Sequence, residues 1–306
     1  MASNKAMDIQ DISLLLFLSM LWGGAYLCVG IAVKELPPLT VVLARVSLAS
    51  LALLPVFWYF GHKLPRGILD WLPFLIMGLL SNVVPFSLIV FGQTQIAVGL
   101  SSIINATTPL FTVIIMAAFG DERLTSHRII GVIMGILGVA VLRGVDQPIG
   151  GSQTLGIGLC LGAALSYGFA ALWGRKFLMG IQPVRAATCQ LICSSFVMMA
   201  MAAIVDQPWK LAIPSIETFT AVVMLAIAGT ALAYIVFFKI LARAGASNAM
   251  LVTLLVPITA LLLGNAFLNE PIRAKEVIGA CIIGMGLLFI DGRLVKWISF
   301  SGRRAD

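Results

Sequence analysis

The stretch from Ala97 to Leu142 returns without a gap 148 positions later, as Gly245 to Ile290. Pro109 falls on Pro257, Ala118-Phe119 on Ala266-Phe267, Glu122 on Glu270, Ile130-Gly131 on Ile278-Gly279 and Gly138 on Gly286. Each copy reads as an apolar helix with a central proline, a short acidic turn, and a second apolar helix rich in glycine. A repeat this long sets the architecture before any local pattern does. The earlier parts of the chain repeat as well. At an offset of 145, Trp22-Gly23 falls on Tyr167-Gly168, Ala25 on Ala170 and Pro38 on Pro183. At 148, Asn82 falls on Thr230 and Phe86 on Tyr234.

The solvent of this fold is lipid. Of 306 residues, 60% are apolar and 11% charged, with a mean hydropathy of +1.05. A soluble domain carries about 25% charged residues, so no aqueous fold hides this much apolar surface. Ten apolar runs can be drawn: 12–33, 39–60, 69–92, 97–119, 127–143, 155–177, 184–205, 217–240, 246–268 and 274–291. Most are near the ~20 residues that cross the hydrocarbon layer as a helix. The expected fold is therefore all-α and integral to the membrane, with ten transmembrane helices. The longest polar stretch, Gly144 to Thr154, divides them into five and five, giving expected repeats 1–147 and 148–306. The first apolar run is long enough to span, and no small-residue cleavage site follows it, so it reads as a helix and not a signal peptide.

Lys and Arg set the orientation. With a cytoplasmic N-terminus, 14 of them fall on the inner side, five on the outer, and Arg45 within the second helix. Both termini are therefore expected inside. The net charge of +7 follows from these cytoplasmic loops and implies no nucleic-acid partner. Five helices per repeat force the second half to enter the membrane from the opposite side. Such inverted repeats commonly hold a substrate site near the bilayer midplane, between the halves.

Residues near the centres of their helices are the candidates for that site: Trp22, Tyr26, Asn82, Phe86, Ser101, Asn105, Tyr167, Thr230, Tyr234 and Thr253. Aromatic rings would pack against an apolar solute, and amides and hydroxyls would hydrogen-bond its polar groups. Each hydroxyl could equally bond its own backbone or pack helix on helix. Pro109 and Pro257 each remove a backbone donor and could act as hinges, or as static kinks. The Gly131/Gly135 and Gly158/Gly162 spacings would let helices approach closely, within a monomer or a weak homodimer. Arg45 either snorkels to the outer surface or faces an anionic group in an outer vestibule.

No Asp or Glu lies near the centre of any run, so coupling through a buried carboxylate is not expected. The cysteines Cys28, Cys160, Cys189, Cys193 and Cys281 have no metal-like spacing with His62 and His127. No phosphate loop, GxSxG or HExxH is present, so neither a cofactor, a metal nor an enzymatic centre is expected.

The sequence LWGGAY at 21–26, Pro38 followed by Arg45, and the doubled Pro109…Glu122…Gly131 and Pro257…Glu270…Gly279 together resemble the EamA-type branch of the drug/metabolite transporter superfamily. The resemblance covers essentially the whole chain, and within that branch it is to bacterial aromatic amino-acid exporters. It implies two inverted halves around a cavity lined by the first, third, fourth, sixth, eighth and ninth helices. It also implies export of amino acids or related small metabolites across the bacterial inner membrane. A sugar-nucleotide, organophosphate or drug carrier of the same superfamily is the alternative, and the phosphate carriers would need Lys or Arg on the cavity wall. A non-transporting membrane scaffold, with no solvent-accessible cavity, is the second alternative.

Overall fold

The computed structural model describes residues 7–120, 124–144 and 151–292. The acidic turn 121–123, the boundary at 147/148, and Lys5, Arg293, Lys296, Arg303 and Arg304 lie outside the described residues. The elements are α1 (Ile9–Ala32), α2 (Pro38–Tyr59), α3 (Leu69–Gln93), α4 (Val98–Ala118), α5 (Ser126–Arg143), α6 (Ser152–Phe177), α7 (Pro183–Val205), α8 (Ile216–Ala244), α9 (Ala246–Ala249 and Val252–Leu268) and α10 (Ala274–Asp291). The first eight are long and apolar enough to cross a membrane, and Val252–Leu268 is a shorter apolar helix. Among the described residues there are only helices, turns and loops.

The inversion is visible in how the helices pack. A Cβ on Gly131 of α5 would come 2.5 Å from the carbonyl oxygen of Gly286 in α10. One on Gly138 would come 3.0 Å from that of Gly279. Gly279 is the repeat mate of Gly131, and Gly286 that of Gly138. The two helices therefore exchange equivalent contacts, and they run antiparallel, as a two-fold axis in the membrane plane requires. The same exchange recurs at the centre. Gly23 of α1 lies against Thr259 and Ala260 of α9, and its mate Gly168 of α6 lies against Phe111 and Thr112 of α4, the mates of 259 and 260. The fold is thus two inverted five-helix repeats. Outward-facing residues such as Ile129, Ile133, Ile136 and Leu137 leave α5 an apolar face toward lipid.

Glycine is used here for space. Neither Gly23 nor Gly131 could carry a side chain without displacing its neighbouring helix. A methyl group on Gly158 would meet nothing within 4 Å, and one on Gly162 only Leu88 Cδ1 at 3.3 Å. Of the expected pair, only Gly162 packs closely within the chain, against α3, while Gly158 looks outward.

Two helices are interrupted by π-helical turns, at Leu79–Val83 in α3 and Ile227–Leu232 in α8. The second begins 148 residues after the first. These turns carry Asn82 and Thr230, and they widen the backbone at mid-helix.

The prolines behave differently from one another. Pro109 cannot donate to the carbonyl of Asn105, and α4 breaks at Ala106–Thr107 into Val98–Asn105 and Thr108–Ala118. The hydroxyls of Thr107 and Thr108 take over, donating to the carbonyls of Ile104 (2.6 Å) and Asn105 (2.7 Å). Pro257 lies inside the continuous segment Val252–Leu268. The interruption in α9 comes earlier, at Met250–Leu251. The helix thus breaks beside Pro109 but not at Pro257.

Carboxylates tie the halves together where α1, α3, α7 and α9 end. Glu35 accepts from the Ser215 amide (2.8 Å) and hydroxyl (2.6 Å). Asp206 accepts from the Thr40 amide (2.7 Å) and hydroxyl (2.9 Å). Glu270 accepts from the Val98 amide at 3.0 Å, capping α4 from the other repeat. At the opposite face Arg243 pairs with Asp11 (2.9 Å) and Asp8 (3.0 Å).

Candidate functional site

A cavity of about 390 Å³ lies between the halves, walled by α1, α2, α3, α4 and α6 to α9. Its size is at the low end of small-molecule sites. Eight of the ten residues singled out from the sequence stand on its wall: Trp22, Tyr26, Phe86, Asn105, Tyr167, Thr230, Tyr234 and Thr253. The aromatic share of the wall is larger than expected. Phe237 packs on Trp22 with ring centroids 5.5 Å apart, and Phe238 on Tyr234 at 6.0 Å.

Asn82 and Ser101 stand behind the wall, both fully buried. The Asn82 amide nitrogen donates to Ser194 Oγ at 3.1 Å, and its oxygen accepts from the Tyr234 hydroxyl at 3.2 Å. Ser194 passes its own proton to the Gln190 carbonyl at 2.7 Å. A central amide with several bonds to satisfy thus finds them inside the protein, and what it does for the cavity is hold Tyr234. Ser101 sits 3.3 Å from Cys160 Sγ, and its neighbour Ser102 is the serine that reaches the wall. One residue of register on α4 decides between them. Ser166 also turns from the cavity, donating to the Leu80 carbonyl at 2.7 Å within the π-helical turn of α3.

Of the two readings offered for Arg45, snorkelling to the surface is corrected. The residue is 8% exposed and lies on the cavity wall. Its Nε donates to Thr230 Oγ1 at 3.0 Å, and Thr230 in turn donates to the Leu225 carbonyl at 2.9 Å, across the π-helical turn of α8. The guanidinium carbon stands 3.6 Å from the centre of the Phe86 ring, a cation–π contact. The cavity wall thus contains one cation among the described residues. Gln190 also lines it, outside the set of candidates read from the sequence. Both were legible at the 145 offset, where Arg45 falls on Gln190. Among the described residues, no Asp, Glu or Lys lines the cavity, and no group of His, Cys, Asp and Glu could hold a metal ion.

Two matches to one family, at residues 11–144 and 154–291, cover nearly the whole chain and fall one on each half. The chain belongs to the EamA-like transporter family. Its relatives include an inner membrane transporter, YedA, of Escherichia coli K12, 25% identical over 89% of this chain and 88% of that one. A probable amino-acid metabolite efflux pump of the same organism is 24% identical over 95% and 97%. An Archaeoglobus fulgidus transporter is 23% identical over 88% and 94%. A solved crystal structure superposes on 92% of this chain and 96% of its own, with a TM-score of 0.65 at 16% identity, which shows the shared fold. This EamA-like transporter thus acts on a small solute from within the bilayer.

Proposed function

We propose that this EamA-like transporter exports neutral, chiefly aromatic, amino acids and related small metabolites across the bacterial inner membrane by alternating access. The supporting observation is the cavity between the halves, with Trp22, Tyr26, Phe86, Tyr167, Tyr234 and Phe237 on its wall. Rings of this kind pack against a planar apolar side chain. The unpaired Asn105 Oδ1 is buried on the same wall and can accept from a solute N–H. The similarity to an amino-acid metabolite efflux pump points the same way. The repeats 1–147 and 148–306 are the two bodies that rock about this site, with the break before Pro109, and Pro257, as their hinges. The termini face the cytoplasm. No carboxylate on the wall offers a proton relay, which favours transport down the solute gradient.

Proteoliposomes carrying the purified protein test the reading. Labelled phenylalanine should exchange across the membrane, and Trp22→Ala should raise the half-saturating concentration about tenfold, as expected for a lost aromatic contact of ~1.4 kcal/mol. No exchange, or exchange indifferent to Trp22, contradicts it. In the scaffold alternative the cavity stays closed to solute, and it predicts that null result.

A further inference from the structure

The guanidinium of Arg45 has a place in the packing but no counter-charge. Its Nε bond to Thr230 and its seat on Phe86 fix the plane of the group. These contacts use one of the five N–H donors of an arginine. Among the described residues, no carboxylate pairs with it and none lines the cavity. A buried charge without a partner is strongly unfavourable, and structural buried arginines are paired. Here the unused side of the group borders a solute-sized space.

We propose that Arg45 is the anchor for a carboxylate, and that the substrate of the cavity presents one carboxylate group beside an apolar ring, as an aromatic amino acid does. The geometry selects this class over its neighbours. A planar guanidinium matches a carboxylate with two parallel N–H···O bonds. One cation on the wall balances one carboxylate, whereas the two charges of a phosphate ester call for more. Lys239 of α8 is exposed and does not line the cavity. The anchor also gives the solute a direction. Its anionic end lies against α2 and the π-helical turn of α8, and its ring lies toward Trp22 and Phe237. The repeat explains why there is one anchor and not two: the mate of Arg45 is Gln190, a neutral hydrogen-bonding group.

This inference rests on the cavity being the substrate site, and it is read by binding, apart from transport. The probes are phenylacetate, phenylacetamide and phenethylamine, which share a ring and differ in the charge of the end group. Each is titrated against the purified protein by thermal shift. The wild type should bind phenylacetate on the order of tenfold more tightly than the amide or the amine. Arg45→Gln should erase that preference, and Arg45→Lys should keep part of it, having the charge without the fork. A merely structural arginine would lower the melting temperature in both variants and leave the order of ligands unchanged. That outcome overturns the proposal, as does a wild type that shows no preference or responds to none of the three. Arg45-dependent phenylacetate binding without phenylalanine exchange would keep the anchor and remove the amino-acid reading. Exchange of phenylalanine and its amide at equal rates would do the reverse.

Discussion

At the residue scale, the side chains around the cavity divide into those that face it and those that hold the facing ones. Tyr234 faces it, and Asn82 holds Tyr234 while itself bonding Ser194. Replacing Asn82 by Ala removes the donor to the buried Ser194 hydroxyl and the acceptor of Tyr234 at the cavity wall. Thermal unfolding should show a loss of about 1–3 kcal/mol, as expected for a buried hydrogen-bonding group removed. Thr108→Val is a second case. It orphans the Asn105 carbonyl that Pro109 cannot serve, and should cost ~1 kcal/mol or more by the same measurement. Residues of both kinds were legible as polar or aromatic groups at mid-helix, which is why eight of ten reached the wall. Which side of the helix each one faces was not legible. Adjacent residues on a helix point about 100° apart, so a one-residue difference within Val98–Asn105 turns Ser101 toward Cys160 and Ser102 toward the cavity. Arg45 departs from expectation for a different reason. A charge inside an apolar run has a lower-energy route to water by snorkelling, and only tertiary structure supplies the Thr230 bond and the Phe86 ring that keep it within.

At the element scale, glycine spacing and the repeat register carried most of the information. The pairing of α5 with α10 follows from Gly131, Gly138, Gly279 and Gly286, which the repeat had already matched in sequence. A side chain at Gly131 or Gly286 would press on the backbone of the other helix. Gly131→Val and Gly286→Val should each destabilise the protein by about 1–3 kcal/mol, as overpacking does. Gly24→Ala, whose added methyl would meet nothing within 4 Å, should be close to neutral in the same unfolding assay. The loop carboxylates read as punctuation in the sequence, yet Glu35, Asp206 and Glu270 each bond the backbone of the other half. Their role was not legible because it depends on which helix ends meet. Glu35 gives a dependence on pH. The hydroxyl and amide of Ser215 hold its carboxyl below the ordinary value of 4.5. The ionised form is thus favoured more in the folded chain than in the unfolded one. Its stabilisation is complete above 4.5 and is lost as the pH falls through the lower folded value. A Glu35→Gln variant should therefore differ least from wild type at the most acidic end of a pH series of melting temperatures. A difference that grew with acidification would contradict the assignment.

At the scale of the whole molecule, the inverted repeat is the structural basis for a transporter. In the proposed alternating access, two halves of the same construction, related by an axis in the membrane plane, would take up two conformations of comparable energy, each opening the shared cavity to one side. The repeats are similar and not identical. Arg45 opposes Gln190, Asn82 opposes Thr230, and a true break in α4 opposes an early one in α9. Those differences give the cavity its polarity within a nearly symmetric frame. The most direct measurement is two-sided accessibility of the cavity wall. Thr253 is replaced by Cys in a background without the five native cysteines, and a membrane-impermeant maleimide is applied from one face or the other of sealed vesicles. Labelling from both faces is expected, with added substrate changing the ratio of the two rates. Labelling from one face alone, or from neither, would contradict an alternating cavity.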